Sequence, residues 1–128
     1  MTSVENLIKI NKVPNQLSEI NIHISEFKKQ KDYYDLTVDI IRKVNEAILF
    51  SMSQKNTKNI TIKIHCEKVK RKNLDIKYLY YIAKSFQDLF PDVLKKAYIV
   101  NSPKFFKMIF EGLKIILAKD TYQKFQFI

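Results

Sequence analysis

Glycine is almost missing from this chain. Gly112 is the only one in 128 residues, which excludes the glycine-rich loops that cradle nucleotide phosphates. Cysteine is as scarce: Cys66 stands alone. It has no internal disulfide partner, and the expectation is a protein of a reducing, cytoplasmic compartment. Arginine is confined to Arg42 and Arg71, so nearly all the positive charge is lysine. Long hydrophobic runs are lacking. The longest is six residues, Tyr78 to Ala83, whereas a membrane span needs roughly 18. The amino terminus, MTSVENLIKI, has no apolar segment behind a basic start and does not read as a secretory signal.

What is present is apolar mass and positive charge. Hydrophobic residues make up 46%, enough for a core, and the length suits one domain over residues 1–128. Against 23 Lys and Arg stand 13 Asp and Glu, a net of +10. Such a field favours anionic partners: phospholipid surfaces, phosphoinositides or nucleic acid.

Hydrophobic periodicity gives the order of parts. Val4 to Lys12 and Ile20 to Ser25 read as two strands around a turn at Pro14 and Asn15. A long helix follows, roughly Lys31 to Met52, with a polar stripe through Asp32, Asp35, Asp39, Arg42, Lys43 and Glu46. Ile60, Ile62, Ile64 and Cys66 alternate with Thr61, Lys63 and His65 as a third strand. Lys68 to Asn73 is a basic loop, and Asn73 is placed to cap a helix from Leu74 to Phe90, which Pro91 stops. Ala97 to Val100 reads as a strand covered on both faces. Pro103 opens another helix, and Gln123 to Ile128 is a final strand. The order ββαβαβαβ argues an α/β fold with a largely parallel sheet.

The helix from Lys104 to Lys119 is too apolar for one core. Its polar residues at helical spacing are Lys104, Lys107, Glu111 and Lys114, a narrow stripe. Phe105, Phe106, Met108, Ile109, Phe110, Leu113, Ile115, Ile116 and Leu117 take up nearly all the rest. A helix on a single core needs an apolar stripe only somewhat over ~100° wide. A lipid, a partner or a membrane is expected to cover the surplus.

The segments Phe90-Pro91-Asp92, Ala97 to Pro103 (AYIVNSP), Lys114 to Leu117 (KIIL) and Lys124-Phe125 follow one another in a recognisable order. Without gaps from Phe90 to Ile128, this stretch resembles the second half of the CRAL-TRIO lipid-binding domain. That is the family of the yeast phosphatidylinositol/phosphatidylcholine transfer protein and the tocopherol transfer protein. The match is good over about a third of the chain and elsewhere follows element order alone. The resemblance implies a mixed, largely parallel sheet with helices packed on it and an apolar gate helix over a lipid pocket. The family also carries an amino-terminal helical subdomain, and this sequence is expected to be a minimal version without it.

The resemblance also implies roles. Phe105, Phe106, Ile109, Phe110, Leu113, Ile116 and Leu117 would form the gate helix and acyl-chain pocket. Asp92 and Lys124 fall on the acidic and basic positions that hold an inositol phosphate headgroup in family members that bind phosphatidylinositol. Asp is one methylene shorter than the usual Glu there. Lys95, Lys96 and Lys119 lie near in sequence and could serve further phosphates. Lys68, Lys70, Arg71 and Lys72 could dock on an anionic membrane. The implied ligand is a phospholipid, phosphatidylinositol or a phosphoinositide, carried by a protein peripheral to membranes.

Chemistry beyond binding is not expected. His65 and Cys66 are adjacent on a strand and point to opposite faces, and no His or Cys pair has metal-ligand spacing. No nucleophile, base and acid stand at motif spacing. The sequence therefore reads as a non-enzyme with no metal. A basic nucleic-acid-binding module and a homodimer built on the apolar helix are the alternatives; the first suffers because the aromatics sit at core spacing in helices.

Overall fold

The computed structural model describes residues 2–128. Five strands form one sheet in the order β1 to β5: β1 (Ile8–Asn11), β2 (Glu19–His23), β3 (Ile60–His65), β4 (Leu94–Val100) and β5 (Phe125–Phe127). β1 and β2 are an antiparallel pair, and every later pairing is parallel. Register follows the alternation of isoleucines. Ile8 lies opposite Ile22, Ile20 opposite Ile62, and Ile64 opposite Ile99. A shift of one residue would turn each of these side chains to the other face.

Each crossover from β2 onward steps to the next strand in the same direction. With right-handed connections this puts every intervening helix on one face of the sheet. That face carries Ile20, Ile60, Ala97 and Ile99, all fully buried. The other carries Lys9, Asn21, Lys63, Tyr98 and Gln126 in one row, at most half-buried. The fold is thus two-layered, and β4 is not covered on both faces as its unbroken apolar run suggested. On the open face Lys63 pairs with Glu19 at 3.5 Å, and His65 Nε2 meets Asn21 Oδ1 at 2.8 Å. His23 and His65, neighbours across β2 and β3, stack with ring centroids 4.8 Å apart. Burial and the neighbouring His65 hold the His23 pKa below its usual value.

The helical layer is α1 (Val4–Leu7), α2 (Tyr34–Lys55), α3 (Ile76–Leu89), α4 (Lys104–Glu111), α5 (Leu113–Ile116) and α6 (Lys119–Tyr122). α1 corrects the expected first strand. The Ser3 carbonyl accepts from the backbone N–H of both Asn6 and Leu7, winding the chain into one helical turn before β1 begins. α2 is anchored where Ser18 and Ser51 are both fully buried. Ser51 Oγ accepts from the Ser18 N–H at 2.8 Å, and Ser18 Oγ donates to the Ala47 carbonyl at 2.7 Å. The small Ala47 lets the helix come that close. α3 is capped by Asp75, not Asn73: its carboxylate accepts from the Tyr78 N–H, satisfying one of the free donors of the first turn.

Scarcity of glycine shows in the turns. The residues in left-handed conformation are Asn15, Asn56, Lys68, Asp92 and Asn101. Asn and Asp tolerate that region better than other side chains, and here Asn does what glycine does in most proteins. Asn56, for example, closes α2 with its N–H on the Met52 carbonyl at 3.1 Å.

Candidate lipid-binding site

Between sheet and helices lies a cavity of about 200 Å³. Ile20, Ile22, Ile62 and Ile64 of the sheet form its floor, and Leu79, Ile82 and Phe86 of α3 form one wall. Of the seven residues expected there, Phe106, Ile109, Phe110, Leu113 and Leu117 line it. Phe105 and Ile116 do not; they sit half-buried beside it. The isoleucine floor and the α3 wall were not assigned to the pocket from sequence, because β-strand alternation reads the same whether the apolar face meets a helix or a ligand.

The apolar helix is not one helix. It breaks at Gly112 and again after Ile116, so what reads as a rod is a chain of short segments folded over the cavity. Bending buries most of the surplus apolar surface. Met108 and Ile115 remain out, at 72% and 92% exposure, beside the exposed Lys104, Lys107 and Lys114.

Gly112 sits here at a point of close approach. A methyl group added to it would collide with the Tyr80 hydroxyl, which donates to the Ile109 carbonyl at 2.8 Å and holds α4 against α3. The backbone of Gly112 is ordinary helix, so alanine would by itself gain ~0.4–1 kcal/mol. The collision opposes that gain, because displacing the Tyr80 hydroxyl loses a hydrogen bond worth ~0.5–1.5 kcal/mol. Gly112→Ala is therefore expected to change stability by less than about 1 kcal/mol. In a Tyr80→Leu background it is expected to be neutral or stabilising. A double-mutant cycle in urea reads the coupling, and additive effects would show that the two residues do not meet.

A second cavity, about 220 Å³, adjoins the first and is far more polar, although Phe86, Phe90, Pro91, Leu94 and Ala118 make up half of its lining. Asp92 and Lys124, far apart in sequence, both line it, with Gln87, Asp120 and Thr121. Its position follows from local structure. Pro91 and the left-handed Asp92 turn the chain from α3 into β4, and the Asp92 carbonyl is held by Asn59 Nδ2 at 3.0 Å. Lys124 enters β5, its carbonyl accepting from the Ala97 N–H at 3.0 Å. Gln87 Oε1 accepts from the Ala118 N–H at 2.6 Å and ties α3 to the start of α6. Phe86, Leu94 and Thr121 line both cavities, so apolar and polar spaces share one wall. Gln87, Asp120 and Thr121 escaped the sequence reading, since nothing in a lone Gln, Asp or Thr marks it as facing a site.

The other sequence candidates lie elsewhere. Lys95, Lys96 and Lys119 are exposed and do not line the polar cavity. Lys96 pairs with Thr61 on the open face of the sheet. Lys68, Lys70, Arg71 and Lys72 follow the carboxyl end of β3, while Asp92 and Lys124 precede β4 and β5. The sheet, roughly 20 Å long at ~3.3 Å per residue, separates them. Cys66 is buried, and that burial pushes its thiol pKa up to about 12, which leaves it unreactive. Among the described residues no cluster of three His, Cys, Asp or Glu could hold a metal, and no helix is long and apolar enough to cross a membrane.

A bilobed site of this kind, greasy at one end and polar at the other, fits an amphipathic ligand. The family profile of the CRAL/TRIO domain matches residues 13–128, and the chain belongs to that family of lipid-binding domains. Among solved structures it is similar to the crystal structure of Sfh5, with 18% identity and a TM-score of 0.66. That similarity covers 99% of this chain and 49% of the Sfh5 chain, so the present chain spans about half of that protein's length. No curated protein matches it in sequence.

Proposed function

We propose that this domain binds a single phospholipid, phosphatidylinositol in the first place, and carries it between membranes without chemical change. The observation that supports this is the shared wall. An apolar cavity for acyl chains meets a polar cavity for a headgroup at Phe86, Leu94 and Thr121. Lys124 is suited to the phosphodiester, and Asp92, Asp120 and Gln87 to the hydroxyls of an inositol ring. The polar cavity holds one cation and two carboxylates. That balance favours a headgroup with one phosphate and many hydroxyls over a ring carrying several phosphates, since Lys95, Lys96 and Lys119 do not line the cavity.

At about 200 Å³ the apolar cavity is smaller than the ~300–1,000 Å³ of ordinary ligand pockets. Two acyl chains do not fit the closed form, so loading requires α4 and α5 to move. Their short segments, joined at Gly112, are the part of the lid best able to do so. Moving acyl chains from bilayer to pocket is nearly neutral, whereas exposing them to water costs ~0.8 kcal/mol per CH₂. The headgroup contacts therefore decide which lipid is taken.

Mass spectrometry of an organic extract of the purified protein, with a vesicle transfer assay using labelled lipids, tests the proposal. Bound phospholipid enriched in phosphatidylinositol is expected. Equal or better transfer of phosphatidylcholine would remove the headgroup reading. A lipid-free, clean dimer would replace the whole proposal with the homodimer alternative.

A further inference from the structure

Three loops leave the carboxyl ends of adjacent strands, since His23, His65 and Val100 stand side by side in register at the ends of β2, β3 and β4. The first loop carries Lys28, Lys29 and Lys31, the second Lys70, Arg71 and Lys72, and the third leads into Lys104. All seven are exposed, and none takes part in an ion pair among the described residues. Five acids lie nearby, fewer than the cations: Glu26 and Asp35 are exposed and make no ion pair among the described residues, and the other three are hydrogen-bonded. Asp32 accepts from the Tyr34 N–H, Asp75 from the Tyr33 hydroxyl and the Tyr78 N–H, and Glu67 from Asn101 Nδ2. Tyr34, 73% exposed, follows the first loop. Sequence singled out only the second loop; the sheet assembles the other two around it.

We infer that this end of the sheet is a membrane-docking surface for anionic bilayers, separate from the headgroup cavity at the opposite end. Free lysines side by side attract an anionic surface by charge density, without reading any headgroup. An exposed tyrosine suits the bilayer interface. A nucleic acid would also meet the charge, but the exposed rings at this end, Tyr34, Tyr81 and Phe127, sit on three separate elements and are not interleaved with the cations as on a strand-binding face. The inference rests on the lipid-carrying reading for its choice of a bilayer. Its consequence is that docking and cargo selection are separable functions at two ends of one sheet.

Sedimentation of the protein with vesicles of phosphatidylcholine alone, and of phosphatidylcholine with phosphatidylserine, tests this. Wild type is expected to bind the anionic vesicles and to be released by salt, as screening shortens to ~3 Å at 1 M. Lys70→Glu/Arg71→Glu/Lys72→Glu should weaken that binding at least tenfold while the headgroup composition of the extracted lipid stays the same. Lys28→Glu/Lys29→Glu/Lys31→Glu, on a different loop, should do likewise, which guards against a local folding defect. Lys124→Glu should dock as wild type does. Undiminished docking in both triple variants would overturn the inference. So would an equal loss in Lys124→Glu, or tighter binding of a single-stranded oligonucleotide than of the anionic vesicles. Wild type that docks but extracts no lipid would leave this surface standing and sink the cargo proposal.

Discussion

Phe110→Ala will cost about 3–5 kcal/mol of stability, as truncation of a core phenylalanine does, and will be among the most damaging single changes in the chain. Phe110 is 4% exposed. Its ring meets Tyr122 at 5.1 Å, Phe125 at 4.9 Å and Phe127 at 5.3 Å. It therefore fastens α4 to α6 and to the edge strand at once, and each aromatic pair adds ~0.5–1.5 kcal/mol beyond area burial. Adjacent helical residues diverge by ~100°, so Phe105 and Phe106 must play different parts. The structure puts Phe106 in the cavity wall at 6% exposure and leaves Phe105 half-buried beside it. Phe106→Ala should approach the loss seen at Phe110, and Phe105→Ala should lose less than half as much. Urea unfolding at constant slope reads all three. Equal, large losses at Phe105 and Phe106 would mean that α4 is buried all round and is no lid.

The strands were legible because their pattern is redundant. In β2 and β3 every second residue is isoleucine, and a parallel neighbour repeats the pattern in register, so local and tertiary preferences agree. The order of helices and strands was legible for the same reason. Three features were not. The turn Val4–Leu7 runs straight into the apolar alternation of β1, which drew it into the expected strand, and its backbone bonding to Ser3 makes it helical. The interruption at Gly112 coincides with the Tyr80 hydroxyl bond to the Ile109 carbonyl, a contact across 29 positions that no local window contains. The open face of the sheet was hidden because Ala97 to Val100 is apolar on both sides, yet Tyr98 and Val100 lie on the face that no helix covers.

The site was legible only where the family resemblance reached. Asp92 and Lys124 were paired by their positions in a known motif, and the fold sets both on one cavity. Physical reasoning on either residue alone would have left a turn aspartate and a strand-end lysine. Asp120 changes the reading of the headgroup, because it makes the cavity poorer in net positive charge than the chain as a whole. Net charge of +10 describes the molecule as a whole and says little about a pocket with one lysine.

Lys124→Glu will abolish most inositol-lipid binding while leaving the fold in place. The backbone of Lys124 is held on both sides, its N–H on the Thr121 carbonyl at 3.1 Å and its carbonyl on the Ala97 N–H at 3.0 Å. Neither bond involves the side chain. The side chain supplies the one positive charge of the polar cavity, and a charge-assisted hydrogen bond to phosphate is worth about 1.5–3 kcal/mol. Reversing the charge removes that bond and sets three carboxylates against a phosphodiester in one space, so binding should fall at least tenfold. Lys124→Gln, which removes charge without adding repulsion, should fall between the two. Asp92→Asn keeps an acceptor for ring hydroxyls and should cost less than either. Phosphatidylinositol binding measured by transfer from labelled vesicles, with circular dichroism to confirm the fold, gives the order. Full binding in Lys124→Glu would place the headgroup elsewhere, and the polar cavity would then have no part in choosing the lipid.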